Sequence, residues 1–309
     1  MSSHHQNTVD IGFMGDVMIG RLVNDSIRRH GYAYPWGNLL PHLHSTDLNF
    51  INLETTFTTC EDAVLKTFNF KSDPDHVAVL HEARIDAVTI ANNHIGDFGI
   101  QGMMDTIEVL DKAGIPHTGA GINAAEASRP VYISCNDLHI AFLGCTDNEP
   151  SWCAMDDYPG INYVEVGNIN KIRAQIESIR HDADLVILSI HWGPNMRERP
   201  SKKFIEFAHQ IIDAGVDIIH GHSAHIFQGI ERYKEGLILY DTGDFIDDYM
   251  VDPILRNDHS FLFLCTAGAH KVYDLRLIPV VISDMQVNVA EGEDREWSEG
   301  RMKRMTNDK

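Results

Sequence analysis

Short apolar runs rich in β-branched residues, separated by longer amphipathic segments, restrict this chain to an α/β architecture in which helices cover a sheet. The predicted strands are Val9 to Met14, Asp47 to Leu53, Ile85 to Ile90, His139 to Leu143, Asp184 to Ile190 and Val216 to His220. Ile100 to Ala113 places Met103, Met104, Ile107 and Leu110 on one helical face and is closed by Gly114, with Pro116 beyond. Helices also follow at Asn168 to Arg180 and at Ser201 to Ala214, the second with Ser201 as N-cap and Gly215 after its end. From Ile226 the texture changes to short strand-like runs, IFQGIERY, GLILYD, FLFLCTA and KVYDLRLIPVVI, with turns at Lys234 to Gly236 and Gly268 to His270. No repeat or linker divides the chain, so the sequence predicts one domain over residues 9–285. A disordered N-terminus is expected at 1–8, and a polar C-terminal helix or tail at 286–309.

Polar clusters stand where the predicted strands end, the place where ligands collect in an open α/β sheet. They are Gly15-Asp16, Asn52-Leu53-Glu54, Asn92-Asn93-His94, His191-Trp192-Gly193 and His220-Gly221-His222-Ser223-Ala224-His225. Each has an ordinary reading by itself: Asp16 as a cap, Asn93 as a turn residue, His191 as a hydrogen-bonded core histidine. Together they gather carboxylates, a carboxamide and imidazoles at one sheet edge. One or two divalent ions would satisfy such a set, and mixed oxygen and nitrogen donors suit Mn, Zn or Fe better than Ca.

Charge narrows the function classes. With 45 Asp plus Glu against 25 Lys plus Arg the formal net charge is -20, which argues against nucleic acid as a partner because phosphate contacts need a basic face. No stretch approaches the roughly 18–20 apolar residues that span a bilayer, and MSSHHQNTVD has no basic region followed by an apolar run. A cytoplasmic protein is the expectation. The five cysteines show no CxxC spacing and read as reduced structural thiols. Oligomeric state is not legible.

The succession GDVMIGR, INLET, FNFKSDP, ANNHIGDFG, IPHTGAG, SIHWGPNMRERPS, GHSAHIFQGIE and LILYDTGDF resembles the CapA-type proteins of poly-γ-glutamate capsule synthesis (the PGA_cap domain), a branch of the calcineurin-like metallophosphoesterases. The resemblance implies a four-layer α/β/β/α sandwich and one or two divalent metal ions (Mn, Fe or Zn). It also implies ligands at Asp16, Glu54, Asn93, His191, His222 and His225. Glu54 would take the bridging place, His220 is an alternative ligand, and His94 would act with Asp16 in catalysis, stabilising the transition state or protonating the leaving oxygen. Met18 stands where the superfamily has a ligand histidine, Ala224 where CapA-type proteins have Pro, and Asp244 where they have Asn. Asp244 would either add a carboxylate to the metals or cap its own loop.

Lys71, Arg21, Arg197 and Arg199 are candidate contacts for a small-molecule or polymeric anionic substrate, with solvated surface charge as the alternative. The implied activity is phosphoester hydrolysis, by a phosphatase or phosphodiesterase using metal-activated water. The alternatives are a non-enzymatic accessory role in poly-γ-glutamate synthesis or export, and a γ-glutamyl amide hydrolase. Members working on exported polymer are expected to carry an N-terminal membrane anchor, which this sequence does not display.

Overall fold

Phe13, Phe50, Phe142, Ile187, Phe261 and Phe263 face one another across the middle of the molecule and form one continuous core. They come from two sheets stacked face to face in the computed structural model, which describes residues 7–307. In the first sheet the strands run in the order Gln286–Val289, Lys271–Ser283, His259–Gly268, Val9–Val17, Leu48–Leu53, Ala87–Thr89, His117–Thr118, with Asp244–Ile246 also paired to Val9–Val17. The second sheet has the order Ile230–Tyr233, Gly236–Leu239, Ile218–His222, Leu185–His191, Leu138–Thr146, Val131–Cys135. Pairing is parallel where helices cross between strands and antiparallel where hairpins connect them.

The two-residue period of a strand sends alternate side chains to opposite faces, and neighbouring residues show it. Phe50 points into the core between the sheets and stacks on Phe142 at 4.6 Å. Ile51 points outward, among Val23, Ile27, Leu80, Met103 and Leu110 of the helical segments on that face. The second sheet does the same: Leu143, Val186 and Leu188 turn outward against Ile172 and Ile176 of the Asn170–Arg180 helix and Phe207 and Ile211 of the Lys202–Asp213 helix. The layers are therefore helix, sheet, sheet, helix, as the resemblance implied.

Element boundaries depart from the sequence reading where tertiary pairing acts. The first strand continues past Met14 to Val17, so Asp16 lies within it. Asp244–Ile246 runs beside this extension, and a Cβ on Gly15 would come within 1.8 Å of the Gly243 carbonyl oxygen. Only glycine permits that approach. The Gly99–Ala113 helix ends on Gly114 at φ 68°, the left-handed stop that its sequence announces. Ser201 occupies the N-cap of the Lys202–Asp213 helix, but its side chain makes no cap hydrogen bond. Within 286–309, Gln286–Val289 is an edge strand and Gly292–Asn307 is a helix that buries Met302 in the inter-sheet core. Most of the predicted disordered N-terminus lies outside the described residues. Among the described residues, no helix is long and apolar enough to cross a membrane.

Candidate metal centre

Strand register assembles the centre. Asp16 is paired with Asn52 on one side and with Asp244 on the other, and His191 lies beside His222 as the last residues of adjacent parallel strands. The C-terminal ends of both sheets thus open onto one space. Asp16, wholly buried, serves two groups of residues. Its Oδ1 lies 3.6 Å from Nδ1 of His222 and 3.8 Å from Nδ1 of His191, and these two nitrogens are 3.0 Å apart. Its Oδ2 lies 3.5 Å from Nδ1 of His225, which in turn is 2.8 Å from Oδ1 of Asp244.

The two triads, Asp16–His191–His222 and Asp16–His225–Asp244, each place one donor atom per residue within 4.8 Å of the others. Such spacings fit donors arranged at ~2.0–2.2 Å around a common cation. Unpaired atoms give an independent test of fit. Oε1 of Glu54, Oδ1 of Asn93, Nε2 of His191 and Oδ2 of Asp244 are all buried with no hydrogen-bond partner, a cost that a protein core normally avoids. The residues present therefore fit one or two divalent ions.

Electrostatics points the same way. Burial, reinforced by the neighbouring Asp16 and Asp244 carboxylates, raises Glu54 well above the usual range, and burial also raises Asp16 and Asp244. Burial pushes His191 and His222 well below the ordinary imidazole value, so both are neutral with lone pairs available. Crowded acids that resist ionisation beside neutral imidazoles form a centre short of positive charge. The loop carrying His222 and His225 is itself strained, with Ser223 at φ 115° and His225 at φ 59°.

His94 stands next to these groups, with Nε2 at 3.7 Å from Oε1 of Glu54. Its Nδ1 is 2.7 Å from Oδ2 of Asp97. The Asp97 carboxylate also accepts the Phe70 amide at 2.8 Å and the Lys66 ammonium at 3.0 Å. A carboxylate so surrounded acts as acceptor, which fixes the proton of neutral His94 on Nδ1 and leaves Nε2 toward the centre.

The remaining candidates fall at varied distances from this focus. Asn93 is half-buried, and its backbone carbonyl accepts Lys66. His220 has both ring nitrogens engaged inside the protein, with Ser189 Oγ at 3.0 Å and the Met14 carbonyl at 2.9 Å, which gives it a positioning role through Ser189, itself 3.0 Å from Nε2 of His222. Lys71 pairs with Glu61 at 2.6 Å and donates to the Cys60 carbonyl. Arg21 pairs with Asp248 and lies over the rings of Phe68 and Phe70; the edge of Phe70 meets His94. Arg197 and Arg199 line a cavity of about 310 Å³ with Trp192 and Phe204, behind the loop whose Met196 amide bonds the Ala224 carbonyl.

Sequence reasoning gave no role to four residues now at the centre. Asn52 donates to Asp16 at 2.7 Å and to Glu54 at 3.1 Å. Asp97 orients His94; its signal was available as the HIGD spacing. Asp241 accepts the Ala224 and Gly243 amides at 2.7 and 2.8 Å and so ties the histidine loop to the Asp244 strand. Asp247, hydrogen-bonded to Asp244, had no local signal.

Residues 10–249 match the family described as bacterial capsule synthesis protein PGA_cap. A Mycobacterium tuberculosis protein named "Probable polyglutamine synthesis accessory protein" is 33% identical over 292 residues, spanning 89% of this chain and 77% of that one. Capsule biosynthesis protein CapA of Bacillus anthracis is 31% identical, over 79% of this chain and 61% of its own length. Among solved structures, a novel phosphatase from Mycoplasma pneumoniae superposes with a TM-score of 0.56 at 16% identity, over 89% of this chain and 94% of that one. The NAD nucleotidase of Haemophilus influenzae gives 0.50 at 16% identity, over 98% of this chain and 57% of that one. Motif order, ligand geometry and these matches agree: the chain belongs to the PGA_cap family of bacterial capsule synthesis proteins, built on the calcineurin-like metallophosphoesterase fold.

Proposed function

We propose that this protein is a metal-dependent hydrolase of phosphoester bonds. The observation that carries the reading is the pair of buried triads sharing Asp16, with buried, unpaired polar atoms on His191, Asp244 and neighbouring Glu54 and an oriented histidine alongside. Asp16, His191 and His222 would hold one cation, Asp16, His225 and Asp244 the other, with Glu54 and Asn93 adding donors. Divalent ions in these places would lower the pKa of water from about 15.7 toward 7 and neutralise charge on an anionic substrate.

The chain's own groups supply the rest. Asn52 holds the Asp16 and Glu54 carboxylates in fixed orientation through its amide. Asp97 sets the tautomer of His94, whose Nε2 exchanges a proton with the reacting oxygen. Burial of the walls by Phe70 and Tyr249, whose rings contact His94 and His225, lowers the local dielectric and strengthens each of these interactions.

The test joins metal analysis to turnover. Elemental mass spectrometry of the metal-loaded protein should find about two equivalents, reduced in His191→Ala. The loaded enzyme should hydrolyse p-nitrophenyl phosphate or its bis ester, and His94→Ala should lose turnover while keeping its metal. A protein that takes up no metal after reconstitution refutes the reading.

The names of the relatives favour a second reading, in which the chain is an accessory in polyglutamate synthesis and its centre binds the polymer without turnover. Unchanged polymer output from cells carrying His94→Ala would support it over the hydrolase.

A further inference from the structure

The two triads differ in their donors. One presents a single carboxylate and two imidazoles; the other presents two carboxylates and one imidazole. The difference comes from Asp244, whose position follows from register: it is the direct strand partner of Asp16, so both carboxylates leave adjacent strands on the same side. Met18, two residues after Asp16, is fully buried, and its thioether offers no hard donor to the cluster.

Asp244 is not a loop cap. Asp241 does that work, holding the Ala224 and Gly243 amides, whereas the Asp244 side chain contacts His225 at 2.8 Å and Asp247. Its Oδ2 is fully buried and without a partner. Asp247, hydrogen-bonded to Asp244, accepts the Tyr249 amide at 3.1 Å, which fixes the carboxyl group that holds Asp244. A buried carboxylate beside a ligand-type histidine and held by a neighbouring carboxyl is the arrangement by which supporting groups hold a metal ligand.

Resting on the dinuclear reading above, we propose that Asp244 is a ligand of the Asp16–His225 site, oriented by Asp247, and that its oxygen donor shifts this site toward Mn2+, relative to Zn2+, compared with the Asp16–His191–His222 site. Carboxylate-rich sets suit Mn2+, while each added imidazole moves a site toward Zn2+. The two positions of one centre therefore differ in preference, the Asp16–His191–His222 position being the one that favours Zn2+.

The experiment is competitive loading of chelator-treated protein with Mn2+ in graded excess over Zn2+, the ion that binds nitrogen and oxygen donors more tightly at equal concentration. It is followed by elemental analysis after gel filtration and by Mn2+ electron paramagnetic resonance, with folding checked by circular dichroism. Wild type should retain both metals. Asp244→Asn, nearly isosteric and lacking the buried charge, should weaken Mn2+ binding at least tenfold and leave about one equivalent in place. Asp244→His should turn the retained metal toward Zn2+, and Asp247→Asn should weaken Mn2+ binding to a lesser degree. In His191→Ala, which disables the other position, the remaining ion should be predominantly Mn2+. Two equivalents in an unchanged Mn2+ to Zn2+ ratio in Asp244→Asn overturns this assignment while leaving the hydrolase standing; wild type that binds no metal overturns both.

Discussion

The metal-free protein should lose stability as pH rises from 6.5 to 8. Asp241 is fully buried beside Asp16, and burial pushes its carboxyl from 3.8 up to about 8. An acid whose pKa is higher in the folded state stabilises fully below its unfolded value, and that contribution disappears as pH climbs to the folded one. The buried imidazoles work in the opposite sense. His191 and His222 lie well below 6.5 and His220 at about 3, so their stabilisation is present above 6.5 and lost as pH falls. Below 6.5 the two trends oppose each other. Above it the imidazole contribution levels off within about a pH unit and the acids dominate, since about 1.5 pH units at 1.36 kcal/mol each give roughly 2 kcal/mol from Asp241 alone. Glu54, Asp244 and Asp247 add to the same sign. The assay is urea unfolding of chelator-treated protein at pH 6.5 and 8, followed by the fluorescence of buried Trp36 and Trp192. Saturating Mn2+ should abolish the slope and add about 2.7 kcal/mol at a hundredfold excess over Kd. Asp241→Asn should make it shallower in the metal-free protein, at a constant cost of about 1–3 kcal/mol for the backbone amide left without an acceptor. Stability that is level or rising over this interval in the metal-free protein would refute the reasoning.

Asp97→Asn should lower turnover by about 10–100-fold, less than His94→Ala, at unchanged metal content, because it disturbs the tautomer and not the ligands; steady-state kinetics beside metal analysis checks both. Phe142→Ala removes the ring stacked on Phe50 between the sheets and should cost about 3–5 kcal/mol in urea unfolding. Gly15→Ala drives a methyl group against the Gly243 carbonyl. It should part the Asp16 and Asp244 strands and reduce bound metal by at least half, measured by elemental analysis.

What the sequence disclosed depended on whether the cause was local. The Asn170–Arg180 and Lys202–Asp213 helices were legible because Ile172, Ile176 and Ile179, and Phe207, Ala208, Ile211 and Ile212, repeat on one face. The Arg21–His30 helix went unread: Gly20 supplies no capping side chain, and only Val23, Asn24 and Ile27 are buried. At the centre, Asp16, His191, His222 and His225 each follow an apolar run and were found by position. His220 could not be set aside as an alternative ligand from GHSAH alone, because Ser189 and the Met14 carbonyl, which engage its two ring nitrogens, reach it from strands distant in sequence. Asp244 reaches Asp16 across 228 positions of chain by strand pairing, a contact with no short-range signature. For the same reason Lys71 drew attention in the sequence, while the ammonium nearest His94 through Asp97 belongs to Lys66.

The acidic balance of the chain bears on which substrate the centre meets. A net charge of -20 repels an anionic polymer over the whole approach, whereas a bound group near the centre meets local cations. At about 0.01 M salt the Debye length is near 30 Å, and at 0.15 M it is about 8 Å. Added salt therefore hides the surface carboxylates from an incoming chain before it weakens contacts within the buried site. If polyglutamate is the substrate or ligand, its association with the metal-loaded protein should quicken between these two salt concentrations, measured by stopped-flow fluorescence. A small phosphomonoester, which carries little charge outside the centre, should show a much weaker dependence. A polymer whose binding slows with salt would instead be drawn by a basic surface, and the repulsive approach inferred from the acidic excess would be wrong.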